Sequence, residues 1–143
     1  MLELFRIESK VYPKLHQQGN DGNYYTHQQI KSIVKYAHER GIRVVPEFDI
    51  PGHATSWAVG YPKLASKKNG KYKLETKYGI FNPTLDPSKE ETYTFLSIFF
   101  KEMAVLFPDQ YIHIGGDENN GIQWNENYKI KKFMNDMNFN NKN

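Results

Sequence analysis

The stretch Tyr111-Ile112-His113-Ile114-Gly115-Gly116-Asp117-Glu118 decides how the rest of the chain is read. Residues 111–114 alternate aromatic and branched apolar side chains, the pattern of a short buried strand. Two glycines then break the pleat and deliver an Asp-Glu pair. Neighbouring side chains on a regular strand point to opposite faces, so Asp117 and Glu118 could not serve one substrate while the pleat continued. Gly115 and Gly116 lift that restriction, because glycine reaches backbone angles that other residues avoid and lets a ligand approach the main chain. An Asp-Glu dipeptide alone reads as a solvated turn. With a buried strand behind it and two glycines before it, the pair becomes a candidate active site.

Upstream, residues 42–50 read Ile-Arg-Val-Val-Pro-Glu-Phe-Asp-Ile, a mostly apolar run expected to be a strand buried on both faces. Pro46 cannot donate to a ladder and marks a bulge or the strand's end, leaving Glu47 and Asp49 near the rim. A helix precedes this strand. Thr26 is its N-cap and Gln29 completes a capping box; Ile30, Ile33, Val34, Ala37 and His38 recur at helical spacing before Gly41. A second helix follows Asp86 as cap and Pro87 at its first position, with Phe95, Leu96, Phe99, Phe100, Met103 and Ala104 on one face. A third begins near Glu126 and buries Ile130, Phe133, Met134 and Met137. Residues 2–7 are expected as a short strand or strand end, and residues 12–22 as a loop leading to the helix. Residues 51–86 are expected as one long aromatic-rich loop, with an exposed hairpin tip at residues 67–71. The tail from Asn138 onward is rich in Asn and Lys and is expected to fray.

This order, helix, strand, loop, helix, strand, loop, helix, is the repeat of a parallel α/β fold, in which ligands gather at the carboxyl ends of the strands. Asp49, His53, Asp117 and Glu118 all fall there, from two separate segments. The chain's 143 residues are far short of the roughly 250 typical of a closed eight-stranded α/β barrel. Its aromatic fraction of 15%, with ten Tyr and nine Phe, is enough for a sizeable core and argues against disorder. The net charge of +3 comes from scattered lysines without a basic stripe, so nucleic acid is not an expected partner. There is no Cys, and hence no disulfide framework or thiolate nucleophile. The first residues lack the apolar run of a secretory leader, and no membrane span is evident.

The chemistry follows from these side-chain types. Two carboxylates that straddle a glycosidic bond stand roughly 5 to 9 Å apart, which adjacent residues cannot easily do. An adjacent pair suits another division of labour: one acid protonates the leaving oxygen while its neighbour holds a substrate group that acts as nucleophile. His53, hydrogen-bonded to Asp49 through one ring nitrogen, could reach that acid with the other. His113 reads as a satisfied structural histidine or one that orients a neighbour, and Trp124 as a core residue or part of a rim; both are candidates for substrate binding. His53, Asp49, Asp117 and Glu118 are competent metal ligands, but no tight ligand motif is present and no metal is expected.

His113-Ile114-Gly115-Gly116-Asp117-Glu118, with Val45-Pro46-Glu47-Phe48-Asp49-Ile50-Pro51-Gly52-His53-Ala54 and Asn82-Pro83-Thr84-Leu85-Asp86-Pro87, resembles the catalytic domain of glycoside hydrolase family 20, the β-N-acetylhexosaminidases. The resemblance runs from Phe5-Arg6-Ile7-Glu8-Ser9 to Met137 and covers less than half of the family's (β/α)8 barrel. It implies a partial TIM barrel in residues 1–137, roughly the second to fourth βα units, followed by the tail 138–143. It also implies that Glu118 is the general acid/base and that Asp117 supports the substrate's 2-acetamido group as its carbonyl attacks the anomeric carbon. Asp49 and His53 match a supporting relay, and no metal or organic cofactor is implied. The family's sugar-binding arginine lies upstream of these residues, and Arg6 is not assigned that role; Trp57 and Trp124 are not evident substitutes for its later aromatic walls. The expected partner is an N-acetylhexosamine-containing glycan. A parallel sheet piece with open edges would assemble with copies of itself or belong to a longer chain. The competing class is a carbohydrate-binding remnant that turns over nothing.

Overall fold

The structure, a computed structural model, describes residues 3–67, 69–116 and 118–139. Among them the helices are α1 (Lys14–Gln18), α2 (His27–His38), α3 (Thr55–Gly60), α4 (Glu90–Leu106), α5 (Ile122–Glu126) and α6 (Tyr128–Asp136). The extended segments between them pair through isolated bridges: Ile7 with Tyr25 and Glu47 with His113 in parallel, Glu3 with Glu75 and Ala65 with Leu85 in antiparallel.

The two strands expected at residues 42–50 and 111–114 therefore meet as one short parallel contact among the described residues, and the backbone shows why it is short. His113 N–H donates to the Pro46 carbonyl at 2.9 Å, and Phe48 N–H donates to the His113 carbonyl at 2.9 Å. Ile50 N–H then donates to Ile114 at 3.0 Å, although a parallel ladder would take the next-but-one carbonyl, that of Gly115. The register slips where Gly115, at φ +66°, leaves the β region. Pro46 has no N–H to extend the ladder in the other direction.

The run 42–50 is also not buried on both faces. Phe48 is buried and Val44 and Ile50 pack on the core, while Val45 and Glu47 face solvent. In the second segment Ile112 packs on the core, but Tyr111 and Ile114 are exposed. Helices cover one side of this parallel pair, and alternate residues point to a side that is uncovered among the described residues.

Helix α2 begins with the expected capping box: Thr26 Oγ1 accepts from Gln29 N–H at 3.2 Å, and Gln29 Oε1 accepts from Thr26 N–H at 2.8 Å. Ile30 and Ala37 are buried and Val34 packs on the core, but Ile33 and His38 turn to solvent. Helix α4 starts later than expected. Asp86 is not its cap: the buried carboxylate closes its own turn, accepting from Ser88 N–H at 2.9 Å and Ser88 Oγ–H at 2.6 Å, and the helix begins at Glu90. Its apolar face holds, with Phe95, Phe99, Met103 and Leu106 buried, although Ala104 is exposed. Phe99 centres an aromatic cluster, 4.9 Å from the rings of Phe48 and Trp57 and 5.8 Å from Phe5.

The segment expected as unbroken loop carries α3 and a 3-10 turn at Pro62–Leu64. Thr55, Ser56, Trp57, Ala58 and Gly60 are all buried and Val59 is half-buried, so the helix leaves no amphipathic period to read. Residues 12–22 likewise contain α1, with Leu15 and His16 buried. It lies close against α3: a Cβ on Gly60 would come within 2.8 Å of the Lys14 carbonyl oxygen, and one on Gly19 within 2.8 Å of that of Ser56. The third helix, expected from near Glu126, is α6, capped by Asn127, whose side chain accepts from Lys129 N–H; α5 lies in the segment before it, which was expected as loop. Ile130 is buried, Phe133 and Met134 are half-buried, and Met137 is exposed. Lys68 of the hairpin tip and residues 140–143 of the tail lie outside the described residues.

Candidate active site

The bend after residue 50 and the break at Gly115 bring His53 and Glu118 together. His53 follows Pro51-Gly52 and sits at φ +47°; Glu118 sits at φ +53°. Both are non-glycine residues held in the left-handed region, a local strain that clusters at functional sites. His53 Nε2 lies 2.8 Å from Glu118 Oε2, with the His53 side chain 2% and that of Glu118 45% exposed. The imidazole is thus locked in the protein while the carboxyl group keeps a face open to solvent.

The other ring nitrogen corrects the expected relay. His53 Nδ1 is paired with Glu3, 3.0 Å from its Oε1, and not with Asp49. An ionised carboxylate only accepts, so with Glu3 in that form Nδ1 is the donor of the bond. Glu3 is buried, and its second oxygen accepts from Thr55 N–H at 3.0 Å. Burial pulls the His53 pKa down, but the hydrogen bonds to Glu3 and Glu118 and the charges of Glu3 and Asp49 outweigh it, so the imidazole titrates above its ordinary value.

Asp49 acts on the turn instead. Its Oδ1 accepts from Gly116 N–H at 3.0 Å, and a Cβ on Gly115 would fall 1.9 Å from that same oxygen. The first glycine thus makes room for the aspartate, and the second supplies the amide that it holds. Asp117, expected beside Glu118, lies outside the described residues.

His113 lies on the uncovered side of the parallel pair. Its Nδ1 is 3.0 Å from Glu47 Oε1 and 3.1 Å from the Gly115 amide. One nitrogen cannot donate to the first and accept from the second at once, so the tautomer selects between them. Trp124 is half-buried and donates its Nε1–H to the Leu85 carbonyl at 2.9 Å, tying α5 to the residue 84–86 segment. Trp57 is a core residue, and Arg6 pairs with Asp21 and donates to the Asn23 carbonyl at 2.8 Å. A cavity of about 220 Å³ lies beside His53, walled by Glu3, Phe5, Arg6, Glu47, Asp49 and Trp57. Among the described residues no group of three or more His, Cys, Asp or Glu could hold a metal ion, and no helix is long and apolar enough to cross a membrane.

Glu3 is the site residue that the motifs did not reveal. Its signal is faint but present: in Glu3-Leu4-Phe5-Arg6-Ile7 the carboxylate shares a strand face with Phe5 and Ile7, where an apolar side chain is expected.

An imidazole and carboxyl groups are thus gathered beyond the carboxyl ends of a parallel pair, where ligands bind in α/β folds. The chain belongs to glycosyl hydrolase family 20, whose catalytic domain matches residues 3–143. It is 45% identical to beta-hexosaminidase subunit A2 of Dictyostelium discoideum, over 95% of this chain and 24% of that protein. It is 41% identical to the human beta-hexosaminidase subunit beta, over 94% of this chain and 24% of that one. Among solved structures, the Flavobacterium johnsoniae chitobiase superposes with a TM-score of 0.93 at 49% identity, over 96% of this chain and 21% of that chain. The Streptomyces plicatus N-acetyl-beta-hexosaminidase, in complex with Thio-NAglucal, superposes with a TM-score of 0.76 at 33% identity, over 93% and 27%. The chain spans about a quarter of the length of the curated relatives it matches.

Proposed function

We propose that these residues carry the acid centre of a β-N-acetylhexosaminidase that removes terminal non-reducing N-acetylhexosamine from glycans with retention of configuration. The observation that carries this reading is Glu118, half open to solvent and 2.8 Å from a buried imidazole. In the first step the Glu118 carboxyl group gives its proton to the glycosidic oxygen as the bond to the anomeric carbon breaks. The substrate's own acetamido oxygen attacks that carbon, forming an oxazolinium ion, and Asp117 supports the charge that develops on the acetamido group. In the second step the Glu118 carboxylate takes a proton from water, which attacks the anomeric carbon and reopens the ring. Two displacements at one carbon give retention, and neither step calls for a metal. The family membership and the hexosaminidase names of the relatives support the reading.

In the same reading residues 1–137 are a piece of the family's barrel, roughly its second to fourth βα units, and residues 138–143 are a tail. The parallel contact between Glu47 and His113, with exposed Val45 and Tyr111 on its uncovered side, supports a sheet that continues beyond this chain.

The test compares release of a chromogenic aglycone from a β-linked N-acetylglucosaminide by this chain, by a chain extended to the length of the relatives, and by each with Glu118→Gln. Turnover that the substitution abolishes is expected in the extended protein and is weak or absent in the short one. Sugar binding that survives Glu118→Gln, with no turnover by any unsubstituted form, would replace this reading with a binding remnant.

A further inference from the structure

We propose that the lysine-rich arm at residues 67–77 is a binding surface for acidic glycans, taking the carboxylates or sulfates of sugars on the leaving-group side of the bond that Glu118 would protonate. The leaving-group side rests on the reading of Glu118 as the acid, whereas the preference for an anionic glycan stands on the arm itself.

Residues 67–77 hold five lysines and one glutamate, a net charge of +4, while the whole chain carries +3, so the remaining residues sum to −1. The lysines look scattered along the sequence, yet the chain's excess positive charge lies in this one segment. Lys35, Lys89 and Lys132 are ion-paired with Glu39, Asp86 and Asp136. Lys67, Lys71, Lys73 and Lys77 are all exposed, and among the described residues none of them has an acidic partner. Exposure alternates along Lys71-Tyr72-Lys73-Leu74, open at the lysines and half-buried at Tyr72 and Leu74, which puts Lys71 and Lys73 on one outer face. Glu75, the arm's one acid, turns its Oε1 to Lys77 N–H at 3.3 Å.

The arm and the residues just after it are tied to the acid centre at two points. Glu75 forms an antiparallel bridge with Glu3, whose Oε1 lies 3.0 Å from His53 Nδ1. Farther on, Asn82 Oδ1 accepts from Asn120 Nδ2–H at 3.1 Å, and Asn120 stands two residues after Glu118. Lys73 and Lys77 are each two residues from Glu75, no more than about 7 Å of extended chain. Between the two ties Tyr78, 82% exposed, presents a bare ring. Glu3, Glu47, Asp49 and Glu118 gather around His53 and would repel an anionic glycan, and Arg6 is spent on Asp21. Lysines within a Debye length, about 8 to 10 Å, offset that repulsion. A nucleic acid fits less well, because the rest of the chain is net negative and offers a phosphate backbone no basic track to follow.

The experiment is an amide NMR titration of the isotope-labelled chain, which reads binding without turnover. The probes are a hyaluronan hexasaccharide, a chondroitin sulfate hexasaccharide and neutral chitohexaose. In about 50 mM salt the acidic sugars should bind about tenfold tighter than the neutral one, shifting the amides of Lys71, Lys73, Lys77 and Tyr78, and should lose that margin near about 500 mM. Replacing Lys71, Lys73 and Lys77 together by Gln, which removes no buried group, should erase the margin and leave chitohexaose binding unchanged. Whichever acidic probe binds tighter tells carboxylate from sulfate. In an active extended protein the same triple variant should raise KM about tenfold for an acidic oligosaccharide ending in N-acetylglucosamine, with kcat and the chromogenic substrate unaffected. Equal binding of acidic and neutral sugars, or a margin that survives the triple variant, overturns the proposal. An equally tight complex with a DNA hexanucleotide overturns it too, since the arm would then be a general polyanion surface. Absence of hydrolysis with the margin intact counts against the function proposed above and not against this surface.

Discussion

Replacing Gly115 by alanine would put a methyl group where the Asp49 side chain stands, 1.9 Å from Oδ1, 2.3 Å from Cγ and 2.9 Å from Cα. Two costs follow. Gly115 lies at φ +66°, where a residue with a Cβ loses about 1 to 2 kcal/mol. The carboxylate must also leave, breaking its bond from Gly116 N–H; a hydrogen bond to a charged group contributes about 1.5 kcal/mol at the low end, the value suited to an amide that faces solvent. Gly115→Ala should therefore destabilise the chain by about 3 kcal/mol, and Asp49→Ala by about 1.5 kcal/mol. The two losses share the same carboxylate. Independent sites would sum to about 4.5 kcal/mol in the double variant, but here it should fall no further than Gly115→Ala alone, a coupling of about 1.5 kcal/mol. Urea unfolding of the four proteins measures the cycle, and exchange of the Gly116 and Ile50 amides reports whether the loss is local. Costs that add to within about 0.5 kcal/mol would refute the argument that the glycine exists to admit the aspartate.

Two further outcomes test the frame of the site. Phe99→Ala, at a fully buried ring between Phe5, Phe48 and Trp57, should cost about 3 to 5 kcal/mol and lower the Tm sharply; a loss under about 1 kcal/mol would show that these rings do not form the core. Asp21 is held down to about 2, first by its hydrogen bond from Arg6. A depressed carboxyl contributes stability that is complete above the ordinary value near 3.9 and fades as pH falls toward about 2. Arg6→Gln should return the Asp21 midpoint toward 3.9 in a carboxyl-carbon NMR titration and start acid unfolding at higher pH, and an unmoved midpoint would remove this pair as the cause.

Helix α2 was legible because its signals are local: Thr26 and Gln29 close a box within one turn, and Ile30, Val34 and Ala37 repeat on one face. The face of α4 was legible for the same reason, whereas its start was not. Asp86 followed by Pro87 satisfies the rule for a cap, yet burial gave that carboxylate to Ser88 instead. Helix α1, five residues with only Leu15 and His16 buried, is too short to show a period, and α3, buried almost all round, has no polar face to alternate with an apolar one. The expectation that residues 42–50 are buried on both faces failed at Val45 and Glu47, because hydrophobicity records what a side chain prefers and not whether another strand arrives to cover it.

The order of the chain alone determined that His53 and Glu118 would lie near each other. Each follows an extended segment at the point where proline or glycine ends it, and parallel segments place such ends on one side. The Gly-Gly-Asp-Glu run likewise marked its own chemistry, since glycines and acids act through their immediate neighbours. Only the tertiary structure decided who holds His53. Asp49 is four residues away and was the nearer candidate, but its carboxylate is turned to Gly116 N–H, and Glu3, fifty residues away, occupies Nδ1. Sequence distance says which side chains belong to one end of a fold. Which oxygen meets which nitrogen depends on burial and on rotations of a few ångströms, which are settled only when the whole core closes.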